Sequence, residues 1–323
     1  MAKLLPWNET SVTEFILLGF SKSHEVQLLL FVLFLLVYLL TLTGNSLLLI
    51  TVSAERSLQT PMYFFLGNLS FLEICYTTNI FPRMLAGFVA EEKSISFSGC
   101  MAQFYLFGSL GGAECLLLSM MSYDRYLAIC SPLRYAAVMR KGMCLSLAAA
   151  SWIGGFVVTL VTILFMSSLT FCGLNEIDNF FCDFSPLLKL ACSDTTLFAK
   201  VAFFFSSTLT LVPFLLTMVS YIYILSAILK RPSTARSQKA ISICSSHLTV
   251  VTTFYGTLIV MYVVPAADHS LDLNKVFSVF YTMLTPMVNP LIYSLRNREI
   301  REALKRVVGR KFASCWREKS GNM

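Results

Sequence analysis

The chain has 323 residues, 56% of them hydrophobic and only 13% charged, with a mean hydropathy of +0.70. That is too little charge to clothe a soluble domain of this length, and the apolar runs are of spanning length, so the sequence reads as an integral membrane protein. The formal net charge of +7 is spread through loops between apolar runs instead of forming one patch, which argues against nucleic acid and for lipid headgroups and a protein partner.

In chain order, residues 1–25 are polar and lack the basic n-region, short apolar core and cleavage site of a removable signal peptide, so the first spanning helix is expected to direct its own insertion. Within this segment Asn8-Glu9-Thr10 is a glycosylation sequon, usable if this end lies outside the cell. A second sequon, Asn68-Leu69-Ser70, falls inside an apolar run. Spanning helices are predicted over 26–51, 62–81, 98–129, 143–168, 197–229, 240–264 and 276–293, a seven-helix domain over 26–293 followed by a cytoplasmic helix and tail over 294–323. The third and fifth are longest and should tilt or project. With the N-terminus outside, 17 Lys and Arg fall in cytoplasmic segments and 7 in outer ones, as the positive-inside rule requires. The expected fold is therefore an all-α seven-transmembrane bundle, and 296–309 reads as a short amphipathic eighth helix, basic on one side, with Ile300, Leu304, Val307 and Val308 apolar.

Within these runs the polar residues are few. Asp124 and Arg125 close the third run, in the stretch Met120 to Pro132, where charge needs a reason: a basic anchor at the membrane edge, or a functional pair. Glu73 and Glu114 lie deep in apolar surroundings and are expected to be protonated or to share a cation. Cys100, Cys172, Cys182 and Cys192 fall in segments assigned to the oxidising side; they can form two bridges in three pairings, among which the sequence does not choose. The other cysteines lie in the membrane or inside, with Cys315 a candidate for acylation. His24, His247 and His269 are far apart, so neither metal-ligand spacing nor a nucleophile and base emerges, and the chain does not read as an enzyme. A transporter or channel is the more serious rival, but the two-fold hydropathy repeat of many transporters is absent.

Five stretches carry a family resemblance: Pro61-Met62-Tyr63-Phe64-Phe65-Leu66, Met120 to Pro132, Ser220-Tyr221, Lys239-Ala240 with Cys244-Ser245-Ser246-His247-Leu248, and Pro286-Met287-Val288-Asn289-Pro290-Leu291-Ile292-Tyr293. In these the chain is similar to rhodopsin-like G-protein-coupled receptors and, more narrowly, resembles the tetrapod-type vertebrate olfactory receptors. The resemblance implies bridges Cys100–Cys182 and Cys172–Cys192. It implies a midplane sodium pocket at Glu73 and Glu114, with Asn289 and Asn45 as neighbours, although related receptors often have Asp where Glu73 stands. No other cofactor is implied.

It also implies a binding pocket for a small, neutral, largely apolar volatile. On the third helix Phe104, Phe107, Gly108, Gly111 and Gly112 share a face above Glu114; the three glycines either leave room for a ligand or let helices pack closely. Ser206 and Leu209, then Tyr255, Leu258, Ile259 and Tyr262, then Val279 and Thr282 are the facing candidates, with Tyr255 foremost. For coupling and activation it points to Asp124, Arg125, Tyr126, Tyr221, Lys239, His247, Asn289, Pro290 and Tyr293. The implied partner is a stimulatory, olfactory-type heterotrimeric G protein that raises cyclic AMP, and the implied location is the plasma membrane, in cilia of olfactory sensory neurons. A receptor for another small hydrophobic ligand outside the nose is the alternative.

Overall fold

The structure, a computed structural model, describes residues 12–20, 23–89, 93–172, 175–230, 235–262 and 271–307; side chains at 235–240, 242–243, 261–262, 271–274 and 295–296 are outside that description. In order, a strand β1 (Glu14–Leu17) precedes α1 (His24–Ala54), and a 3-10 turn (Arg56–Leu58) leads into α2 (Pro61–Val89). Strand β2 (Ser94–Ser96) enters α3 (Phe97–Cys130), followed by α4 (Pro132–Val138) and α5 (Lys141–Ser167). Beyond β3 (Glu176–Ile177) come α6 (Phe184–Leu190), α7 (Thr196–Leu229) and α8 (Ala235–Tyr262). The last crossing is built from α9 (Leu271–Val279), one π-helical turn (Phe280–Leu284) and α10 (Thr285–Arg296), and α11 (298–307) closes the described chain.

Seven crossings result, made by α1, α2, α3, α5, α7, α8 and the α9–α10 pair. Strand β1 and α11 lie at opposite ends of the bundle, as an odd number of crossings demands. The third and fifth crossings, α3 and α7, have 34 residues each, or about 51 Å at 1.5 Å per residue, well beyond ~30 Å of hydrocarbon. Several boundaries differ from the sequence expectation, and the seventh crossing runs from Leu271 to Arg296 where 276–293 was expected. Helix α2 continues to Val89 instead of stopping at Phe81, because Pro82 is accommodated inside it, as membrane helices allow when neighbours satisfy the freed backbone. Helix α8 begins at Ala235, five residues before the apolar run at Ala240 that marked its start in the sequence.

Helix α3 is the axis, buried along most of its length against α2, α5 and α7. Its close approach to α5 rests on Gly155: a Cβ there would stand 2.6 Å from Ala113 N and closer still to Ser109 O, both backbone atoms of α3. Gly112 faces the same crossing, where a Cβ would lie 3.2 Å from Gly155 Cα. Outward faces are apolar, with Leu29, Leu40, Ile153, Leu164, Phe204 and Ile222 exposed; in hydrocarbon such side chains are at home, and packing of small residues holds the helices together.

At one end a three-stranded sheet in the order β2-β1-β3, which the sequence did not announce, sits over the bundle. Strand β1 pairs antiparallel with β2 and parallel with β3. The bridges are Cys100–Cys182, Cα atoms 5.5 Å apart, and Cys172–Cys192, 5.9 Å apart, the pairing the resemblance implies. Phe15, Phe97 and Phe171 pack beneath the strands. At the other end α11 lays Ile300, Ala303 and Val307 against the bundle. Tyr63 donates to Glu299 at 2.7 Å, and Arg306 lies 3.4 Å from Glu55. Val308, the last apolar position expected on that helix, is outside the described residues, as are Asn8 and Cys315.

Candidate functional site

Beneath the disulfide-bonded lid, α3, α5, α7 and α8, with Tyr76 of α2, line a mainly apolar cavity of about 110 Å³. Of the expected wall residues, Phe104, Phe107, Gly108, Gly111, Gly112, Ser206, Leu209 and Leu258 face it. The glycines divide their labour. Gly111 opens space, with nothing nearer to a hypothetical Cβ than Tyr76 at 3.9 Å, whereas Gly108 abuts Thr159 and Gly112 abuts Leu209 and Gly155. Room for a ligand and close helix contact therefore occur together, at neighbouring glycines of one face.

Tyr255 is not on the wall. It is fully buried one layer below, its hydroxyl donating to the Cys115 carbonyl at 2.6 Å, and Cys115 itself faces the cavity. Ile259 and Val279 are half-buried against the core, and Thr282 is buried with its hydroxyl on Ser278 O. These three do not face the cavity. The Tyr262 side chain lies outside the described residues.

Sequence reasoning missed the contribution of α5, from which Val158, Thr159 and Thr162 face the cavity, and that of the lid, which supplies Asp183 and Phe184. Tyr76, Phe205, Thr210 and Phe254 complete the wall. The α5 signal was the spacing of Thr159 and Thr162 in the otherwise apolar stretch 152–166. The lid position of Asp183 follows from its bridged neighbour Cys182, whose N–H donates to Gln103 Oε1 at 3.0 Å. Asp183 caps α6 by accepting from Phe184 N at 2.7 Å, and Tyr281 reaches its other oxygen at 3.4 Å. Phe107 is the aromatic junction of the site, its ring centroid 5.4 Å from Tyr76, 4.9 Å from Phe181 of the lid and 5.9 Å from Tyr281 of the π-helical turn.

A polar axis runs from below the cavity to the opposite end. Glu73 accepts a hydrogen bond from Asn289, and Asn45 donates to Thr41 O and Pro286 O, both at 3.1 Å. Glu73 Oε2 and Glu114 Oε1 are buried without a hydrogen-bond partner. Among the described residues no three His, Cys, Asp or Glu side chains gather as a metal cluster.

Farther down, Arg125 pairs with the buried Asp124 at 2.5 Å, and Tyr135 of α4 donates to the other Asp124 oxygen at 2.9 Å. Burial pushes the Tyr135 phenol well above its ordinary range and the Asp124 charge adds to it, so the phenol stays a donor. His247 Nδ1 and the Tyr221 hydroxyl are 2.6 Å apart. Tyr126 packs against Tyr223. Tyr293 and Arg125 face a void of about 20 Å³ with Ser246 and His247 on its α8 side. Pro290 packs against α1 at Gly44. The Lys239 side chain is outside the described residues. The arrangement therefore brings the Arg125 end together around α3, α7, α8 and α10.

Comparison with known sequences agrees with this geometry. The family described as olfactory receptor matches residues 34–311. Human olfactory receptor 6B3 is 49% identical over 308 residues, 95% of this chain and 92% of its own length. Human olfactory receptor 11L1 is 48% identical over 96% of this chain and 97% of its own length, and mouse olfactory receptor 5AP2 48% over 93% and 95%. With its seven crossings, the chain belongs to the olfactory receptor family, a multi-pass membrane receptor and not an enzyme.

Proposed function

We propose that the chain is an odorant receptor that takes a small, neutral, largely apolar volatile into the cavity under the lid and activates a stimulatory, olfactory-type G protein, raising cyclic AMP. The observation that carries this reading is the cavity itself. It is lined by five crossings, apolar with a few hydroxyls, and at about 110 Å³ well below the ~300–1,000 Å³ of sites for drug-sized ligands. Its floor at Cys115 is tied to α8 through Tyr255, so a ligand that binds one position of α8 better than another shifts the balance between them. Arg125, held by Asp124, is the group that such a shift would release toward a partner helix. The disulfide-bonded end faces outside the cell, in keeping with the oxidising chemistry of its bridges, and α11 lies along the inner leaflet.

Sodium belongs to the same proposal. Glu73 Oε2 and Glu114 Oε1 are orphaned carboxyl oxygens, with Asn289 on the other Glu73 oxygen, and carboxyl oxygens suit a hard cation, which would supply positive charge at mid-membrane. The expected outcome is that raising sodium weakens agonist potency in the parent and no longer does so in Glu73→Gln or Glu114→Gln.

The deciding experiment is a cyclic AMP assay of surface-expressed protein against a panel of neutral volatiles, with surface staining as control. Arg125→Ala is expected to reach the surface and lose at least tenfold of the response. An undiminished response from that variant at equal surface density would overturn the coupling role.

A further inference from the structure

At the Arg125 end, sharing no lining residue with the ligand cavity, a second cleft of about 780 Å³ opens between α1, α2, α4 and α5. Leu49 and Val52 of α1, Phe64 and Gly67 of α2 and Leu145 of α5 give it an apolar wall. Gly67 widens it, since a side chain there would project toward Leu49 and Val52. Its mouth carries Arg140 and Lys141, both exposed and neither ion-paired among the described residues. No acidic residue lines it. The nearby carboxylate of Glu55 is already taken by Arg306 at 3.4 Å.

We propose that this cleft is a binding site for one anionic phospholipid, its phosphate against Arg140 and Lys141 and its acyl chains along Leu49, Val52, Phe64 and Leu145. Charge complementarity selects the occupant. Two unpaired cations at headgroup level call for a counter-anion, and the wall below them opens onto the hydrocarbon, where Leu145 is 59% exposed. A sterol brings one hydroxyl and no charge, and a zwitterionic lipid brings a cation of its own next to the two already there. Ser53, Gln59 and Thr60 at the mouth supply hydrogen bonds to the ester and glycerol oxygens. The site is independent of what fills the other cavity, so its failure would leave the odorant proposal untouched.

The test uses the full chain purified into nanodiscs of phosphatidylcholine alone, with phosphatidylserine, or with cholesterol, and native mass spectrometry of the lipid retained on the protein. Retention of phosphatidylserine over phosphatidylcholine is expected. The Arg140→Gln/Lys141→Gln double variant should weaken it about thirtyfold, while Arg134→Gln, on α4 but off the cleft, should leave it unchanged. Equal retention of phosphatidylcholine, displacement by cholesterol, an unaffected double variant, or an equal fall in Arg134→Gln would each overturn the proposal. If the double variant does not fold, photo-crosslinking of the parent with a photoactivatable phosphatidylserine decides the matter: adducts on the cleft segments of α1, α2 and α5 support the site, and adducts confined elsewhere refute it.

Discussion

Gly155 has no side chain where α3 passes, and a methyl group there would meet backbone atoms that cannot swing aside. Gly155→Ala is therefore expected to cost about 1–3 kcal/mol of packing strain and to lower surface staining sharply. Gly111→Ala, with 3.9 Å of clearance to Tyr76, should fold normally. It adds one methyl to the cavity instead, shifting the preferred chain length in a homologous ligand series downward by about one carbon. Normal surface density for Gly155→Ala, or an unchanged length preference for Gly111→Ala, would sink these assignments. Gly108, Gly111 and Gly112 look alike in the sequence, which is why spacing alone left both uses of a glycine open. Tyr255 shows the same limit: the resemblance made it a candidate facing α3, but a wall position and one a layer below share that direction. Only the hydroxyl found on Cys115 O separates them.

Among the elements, the seventh crossing shows what proline does to a membrane helix. Pro286 has no N–H to give to Thr282 O, and its ring crowds that carbonyl. The preceding turn widens in response, so that Thr285 N donates to Phe280 O, and the Pro286 carbonyl takes Asn45 as donor. The turn also carries Tyr281, which touches both Phe107 and Asp183. Pro286→Ala restores the missing donor and should let the turn tighten to ordinary α-helix. The expected result is a higher thermal midpoint and a weaker response to saturating agonist; an unchanged maximal response would show that the wide turn has no part in activation. Hydropathy made the crossings themselves legible, because about 20 apolar residues have few other fates. The lid sheet was not legible, since strands of four, three and two residues are too short for a period of two to register. The end of α2 was masked by Pro82, which stops a soluble helix, and by Arg83, whose charge ends the apolar run without ending the helix.

Across the whole molecule, the lid is held to the bundle by bonds of unequal reach. Cys100–Cys182 spans 82 residues and anchors the lid to the axis helix, whereas Cys172–Cys192 spans 20 and closes a loop within the lid. Chain entropy alone makes the first worth about 4.5 kcal/mol and the second about 3.3 kcal/mol. The native contacts point the same way. Cys182 N donates to Gln103, Gln103 and Asn79 exchange side-chain to backbone hydrogen bonds at 3.0 Å, and Lys275 reaches Asp178 at 2.5 Å. Losing the first bridge loosens this set from α3, while losing the second leaves it in place, with β1 still pairing both β2 and β3 across the loop. Cys100→Ser should therefore lower the thermal midpoint of the purified receptor more than Cys172→Ser, and ligand should recover less of the loss, because the cavity roof at Asp183 and Phe184 hangs from Cys182. The reverse order of midpoints, measured by thiol-reactive unfolding in one detergent, would mean that the lid is stabilised from within rather than by its tether to α3.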